Sequence, residues 1–189
     1  MQIVEILLFI VWGVFIAYWL VSAWRDRSPF KRTSSRLSVL TFTGVPWVIF
    51  VLFADLFAPW LLVVRILPDS LPVVIAGLLI TCTGLGFAVW ARVHLGKFWS
   101  GLPAIRMDHR IIRTGPYRIV RHPIYTGLLT GIAGTAIATG LLWVICLTGI
   151  ILLVFTLKIR MEERFLQEEF GEKYAQYKRE VRALIPFMI

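Results

Sequence analysis

Between Ile124 and Leu157 the chain runs for 34 residues without a charged side chain. At 1.5 Å per residue one straight helix of that length would measure about 51 Å, far more than a hydrocarbon core of roughly 30 Å requires. Two helices of about 16 residues just suffice if the turn between them is tight. The run therefore predicts a helical hairpin that turns near Ala138-Thr139-Gly140 and returns the chain to its starting side at Lys158. A soluble domain has no use for such a stretch, and at 58% hydrophobic residues with a mean hydropathy of +0.78 the chain as a whole is too apolar to be one.

The rest of the chain divides on the same logic. Ile3 to Trp24 is long enough to span and has neither a basic n-region nor a small-residue cleavage site, so it is expected to be a retained span. Its aromatic residues include Tyr18, Trp19 and Trp24, which suit an interfacial belt. A second span is expected from Leu37 to Phe53, kinked at Pro46. Asp55 to Pro72 carries Pro59, Pro68 and Pro72, and its apolar part is too short to cross; it is expected to be an external interfacial loop. A third span runs from Val73 to His94, with Gly77, Thr81, Thr83, Gly84 and Gly86 as candidates for close helix packing. Cys82 and Cys146 lie in apolar runs and are expected to be small buried hydrophobes.

Charge position then sets the orientation. Of 20 Lys and Arg, 19 lie in the segments 25–36, 92–121 and 158–182, and only Arg65 falls elsewhere. Clustering of that kind follows the positive-inside rule and points to anionic lipid headgroups, not nucleic acid, as the partner of a net charge of +9. Five spans with the amino terminus outside and the carboxyl terminus cytoplasmic place all three basic segments on one face. The expected fold is thus an all-α integral membrane protein, a single domain over 1–189, with three spans in 1–93 and the chemistry-bearing half in 94–189.

The densest concentration of reactive groups is Gly115-Pro116-Tyr117-Arg118-Ile119-Val120-Arg121-His122-Pro123-Ile124-Tyr125-Thr126-Gly127, at the entrance to the hairpin. Polar groups beside a helix entering hydrocarbon cost free energy, so Arg121, His122 and Tyr125 are expected to have a duty there. A tight hairpin brings Pro123–Tyr125 level with the far end of the run, where Glu162 and Glu163 sit side by side. Charge pattern alone leaves two readings open. Arg and Glu could together receive a soluble ligand bearing an anion and hydroxyls, or Glu162 and Glu163 could simply neutralise Arg118, Arg121 or Arg160. No metal site is expected: His94, His109 and His122 are the only histidines and no HExxH or CxxC spacing accompanies them. No glycine-rich dinucleotide turn or nucleophile elbow is present either.

These residues resemble the isoprenylcysteine carboxyl methyltransferase family and, more broadly, the membrane methyltransferases that include the phospholipid methyltransferases. The matching pieces are Leu95-Gly96-Lys97-Phe98-Trp99-Ser100, the Gly-x-Tyr-x-x-x-Arg-His-Pro-x-Tyr-x-Gly pattern at 115–127, and Glu162-Glu163-x-x-Leu166 followed by Phe170-Gly171, Tyr174, Tyr177 and Pro186. The resemblance implies a five-span enzyme that binds S-adenosylmethionine, released as S-adenosylhomocysteine, on the cytosolic side. It implies that His122, Pro123 and Tyr125 help hold the cofactor, that Glu162 or Glu163 takes its ribose hydroxyls or ammonium, that Gly115 to Tyr117 lies along it, and that Trp99 closes the pocket. Arg121 with Glu163 is implied as the catalytic pair. The implied reaction is carboxyl O-methylation of a lipophilic, isoprenylcysteine-type acceptor. Phospholipid N-methylation and small-thiol S-methylation are the alternatives, followed by an NADPH-dependent sterol-type reductase and a non-catalytic membrane transport protein.

Overall fold

A computed structural model describes residues 2–25, 32–33, 63–99, 104–105 and 111–185. The expected second span at 37–53 lies outside them, as do Ser100, His109 and Pro186. The elements are α1 (Gln2–Arg25), β1 (Arg32–Thr33), α2 (Leu71–Leu95), β2 (Ala104–Ile105), α3 (Pro123–Thr139), α4 (Leu142–Phe170) and α5 (Glu172–Glu180), with 3₁₀ turns at Gly96–Phe98 and Gly115–Arg118. Among the described residues three helices are long and apolar enough to cross a membrane: Ile3–Ser22, Leu71–Leu95 and Leu142–Phe170. The charge-free part of the last is its first half, ending at Leu157.

The hairpin turns where the uncharged run predicts. α3 ends at Thr139, Gly140 takes the left-handed conformation at φ 65°, and α4 starts at Leu142. Only glycine adopts that φ without a Cβ penalty, which is why the turn falls there. Residues 63–70 cap the turn: Ile66 N–H donates to Gly140 O at 2.9 Å and Leu142 N–H to Val64 O at 2.9 Å. Arg65, the one cation outside the basic segments, sits at this end of the hairpin and pairs with Asp69 at 3.0 Å.

The basic segments meet elsewhere. β1 pairs antiparallel with β2, Arg32 opposite Ile105, which joins the first basic segment to the second. Arg121 bonds Glu163, which joins the second to the third. That two-residue ladder is an addition to the all-helical expectation, because a pair so short leaves no period-2 signal in the sequence.

α2 and α3 run antiparallel in near-backbone contact. A Cβ on Gly77 would lie 2.4 Å from Ala138 N, one on Gly84 2.5 Å from Gly131 N, and one on Gly134 2.4 Å from Thr81 N. Small residues let the backbones close to this distance, and in lipid such packing replaces the hydrophobic drive that water would supply. Thr81, fully buried, donates to Gly77 O at 2.9 Å, while Trp12 of α1 donates to Thr135 Oγ1 at 3.1 Å. Thr83 and Gly86 do not join this seam. Both are exposed, Thr83 bonding back to Leu79 O at 2.7 Å and Gly86 having open space beside it. Cys82 and Cys146 are likewise exposed and not buried, because each falls on the outward face of its helix.

Candidate active site

The mouth of the α3–α4 hairpin is built by two helix starts and stops. α3 begins at Pro123, whose missing N–H is no loss at a helix N-terminus, with His122 immediately before it. Opposite, α4 continues past the end of the charge-free run at Leu157 for another thirteen residues to Phe170. Glu162 and Glu163 therefore stand beyond the apolar half of α4 and beside the start of α3.

Glu163 is nearly buried and closely held. Its Oε1 accepts from Arg121 Nε at 2.8 Å and Nη2 at 2.6 Å, and lies 3.3 Å from His122 Nε2; its Oε2 is 2.9 Å from Lys178 Nζ. Burial alone would raise its pKa, but the bonds from His122, Lys178 and Arg121 outweigh that and lower it to about 2. Glu162 is freer. Its Oε1 accepts from Tyr125 OH at 2.7 Å and its Oε2 is 3.8 Å from His122 Nδ1. His122 and Tyr125 stack at 5.8 Å, and Tyr125 packs on Phe155 at 4.9 Å, with Lys158 Nζ 5.3 Å from its ring.

Arg121 has little left to give. Besides its two bonds to Glu163, its Nη1 donates to Lys178 O at 3.2 Å and to Val181 O. Four of its five N–H groups are thus engaged among the described residues. The chain after α5 is sewn to the same stretch: Arg121 N–H donates to Arg182 O at 2.7 Å, His122 N–H to Ala183 O at 3.0 Å, and Thr126 Oγ1 to Leu184 O at 2.8 Å.

The 3₁₀ turn at Gly115–Arg118 forms a second wall. Gly115, at φ 58°, leaves room for the His94 ring, which a Cβ there would approach to 2.7 Å. His94 Nε2 is 2.8 Å from Thr114 Oγ1, and its ring stacks on Tyr117 at 6.4 Å. Tyr177 OH donates to Tyr117 O at 2.5 Å. Burial, chiefly, holds the phenols of Tyr117, Tyr174 and Tyr177 well above their usual pKa, so all three act as neutral groups.

The structure therefore brings Arg121, His122, Pro123, Tyr125, Glu162 and Glu163 into one cluster, with Gly115 and Tyr117 on the adjoining turn. Trp99 is engaged from another direction: it packs edge-on against Trp19 of α1 at 5.7 Å, and Arg92 Cζ lies 4.2 Å from its ring centroid. Two contributors were missed from sequence. Lys178 had a signal, for it shares the helical face of Tyr174 and Val181. Arg92 is 1% exposed and donates to Ser22 O at 3.2 Å, tying α2 to α1. Its position at a span end resembled that of any interfacial cation.

A helical membrane protein with an ionic cluster at the open end of a helix hairpin is the class these features define. The phospholipid methyltransferase family model matches residues 72–173, more than half of the chain and all of α3. The chain belongs to this family, and its long apolar helices make it an integral membrane protein. It is 30% identical over 115 residues to a probable protein-S-isoprenylcysteine O-methyltransferase of Oryza sativa subsp. indica, covering 59% of this chain and 60% of that protein. Over 72 residues it is 40% identical to methanethiol S-methyltransferase 1 of Bradyrhizobium diazoefficiens, covering 38% of this chain and 24% of the relative. A solved structure of the eukaryotic intramembrane Ras methyltransferase, isoprenylcysteine carboxyl methyltransferase, superposes with a TM-score of 0.58 at 25% identity, covering 82% of this chain and 54% of that one. The chain thus spans between a quarter and three fifths of the length of these relatives.

Proposed function

We propose that this protein is a membrane-embedded, S-adenosylmethionine-dependent methyltransferase that methylates the carboxylate of a lipophilic, isoprenylcysteine-type acceptor. In this reading the chain crosses the bilayer five times, amino terminus outside, and the ionic cluster opens to the cytoplasm. The observation that carries the proposal is the cluster itself: Tyr125, His122, Glu162 and Glu163 converge at the mouth of an apolar hairpin, within the region matched by the family.

The donor set suits the cofactor. Glu162 keeps acceptor capacity beyond its one bond from Tyr125 and is the carboxylate we assign to ribose hydroxyls or the ammonium. His122, Pro123 and Tyr125 offer a ring-lined wall beside it, and the Gly115–Tyr117 turn offers backbone close by. When bound, the cofactor supplies a methyl group already activated on a sulfonium. The protein's task is then alignment and exclusion of water, and an acceptor carboxylate, ionised at neutral pH, needs no general base. Because Arg121 and Glu163 largely saturate each other, we assign them to positioning: the pair fixes His122 and holds the segment 181–184 against the mouth. Trp99 packs where α1 meets the end of α2, and we place it at the rim of the pocket.

Calorimetric titration of the detergent-purified protein with S-adenosylhomocysteine tests the cofactor. Binding that Glu162→Gln and His122→Ala each weaken about tenfold is expected; no binding by the folded wild type would sink the reading. The Bradyrhizobium match favours a second acceptor, a small thiol. Incubation with labelled donor and, in turn, a prenylated cysteine, a phospholipid amine and methanethiol separates the acceptors. Label in the first alone is expected.

A further inference from the structure

The outer face of α4 carries a feature that the methyltransferase reading does not use. Cys146, Ile150, Leu153, Leu157, Arg160 and Arg164 follow one another at steps of four, three, four, three and four residues, the spacing of one helical face, and all six are exposed. The apolar part of this stripe ends at Leu157. Below it a cleft of about 410 Å³ opens, lined by Arg160, Glu163, Arg164, Gln167, Glu168 and Lys178. Glu163 is already compensated by Arg121 and Lys178, whereas Arg160 and Arg164 have no ion pair among the described residues.

Depth decides what could meet these two guanidiniums. At 1.5 Å per residue Arg160 lies about 4.5 Å and Arg164 about 10 Å beyond Leu157, the depth of the headgroup layer. Two forks one helical turn apart are suited to the oxygens of a single phosphate, and a free anion would not need the exposed leucines above them. We propose that this stripe is a binding site for an anionic phospholipid, one acyl chain lying along Ile150, Leu153 and Leu157 and the phosphodiester held by Arg160 and Arg164. The cleft shares Glu163 and Lys178 with the ionic cluster, but these two pair with each other at 2.9 Å, which leaves Arg160 and Arg164 to hold the phosphate. The proposal requires only that α4 crosses the bilayer, and stands whether or not the chain transfers methyl groups.

The test is native mass spectrometry of the full chain, counting phosphatidylglycerol and phosphatidylcholine retained on stepwise delipidation, for the wild type and for Arg160→Gln with Arg164→Gln. Wild type is expected to keep one phosphatidylglycerol about tenfold more strongly than the double variant, with phosphatidylcholine unaffected. Equal retention by wild type and a variant of unchanged melting temperature overturns the site. Should the double variant not fold, the wild type alone decides: added salt must release phosphatidylglycerol selectively, and indifference to salt overturns the proposal. Inorganic phosphate serves as the competing probe, and displacement of the lipid by millimolar phosphate would mean that the site belongs to a soluble anion.

Discussion

The seam between α2 and α3 and the mouth between α3 and α4 share a helix but are held by opposite means. At the seam there is nothing to titrate and no room: glycines stand against backbone, and the nearest atoms would meet an added Cβ at about 2.4–2.5 Å. At the mouth the side chains are long and charged, and a single carboxylate, Glu163, gathers Arg121, His122 and Lys178. Contact by exclusion makes the seam rigid and indifferent to solution conditions. Contact by charge makes the mouth dependent on protonation and ionic partners.

The largest effect should come from Gly84→Leu, which forces a side chain into the backbone of Gly127 and Gly131. Overpacking against backbone cannot be relieved by a rotamer change, so a loss above about 4 kcal/mol is expected, seen as failure to purify as a monodisperse species. A well-folded Gly84→Leu would erase the contrast. Next, Glu163→Gln leaves two cations facing a neutral amide in a nearly buried place. It should cost about 3 kcal/mol in thermal or denaturant unfolding, with Arg121→Gln comparable.

Acid sharpens the same point. The folded carboxyl of Glu163 titrates at about 2, below its ordinary value near 4.5. Its contribution is therefore complete above about 4.5 and is lost as pH falls through about 2. Stability measured across that window should fall in the wild type and fall less steeply in Glu163→Gln, whereas a seam variant such as Gly134→Ala should lower the whole curve without changing its slope. The smallest effect belongs to Tyr125→Phe, which deletes the bond to Glu162 but keeps the ring on His122 and Phe155. About 1 kcal/mol of stability and a fewfold weaker binding of S-adenosylhomocysteine are expected, by unfolding and calorimetry respectively.

Much of this was legible beforehand. An uncharged run too long for one helix and just adequate for two, with a glycine near its middle, locates the hairpin turn at Gly140 from length alone. The same arithmetic brings Glu162 and Glu163 level with Tyr125, so the cluster could be anticipated from spacing. Which faces the small residues and cysteines of α2 would take could not. Gly77, Thr81 and Gly84 point at α3, while Cys82, Thr83 and Gly86 point away, and in a helix apolar all round no amphipathic stripe marks the difference.

What the sequence determined by itself is therefore the membrane class, the hairpin and the charged stretch at its mouth, because hydrocarbon length and the cost of charge act on each segment locally. Only the tertiary structure decided how those charges are shared: that the Lys178 ammonium takes up Glu163 and the carbonyls of Lys178 and Val181 take up Arg121, that Glu162 remains the freer carboxylate, and that His94 seats the Gly115 turn. A charged group's partner is set by which helices lie within about 3 Å of it. That depends on packing contributed by residues far away in the chain, of which the local sequence carries no record.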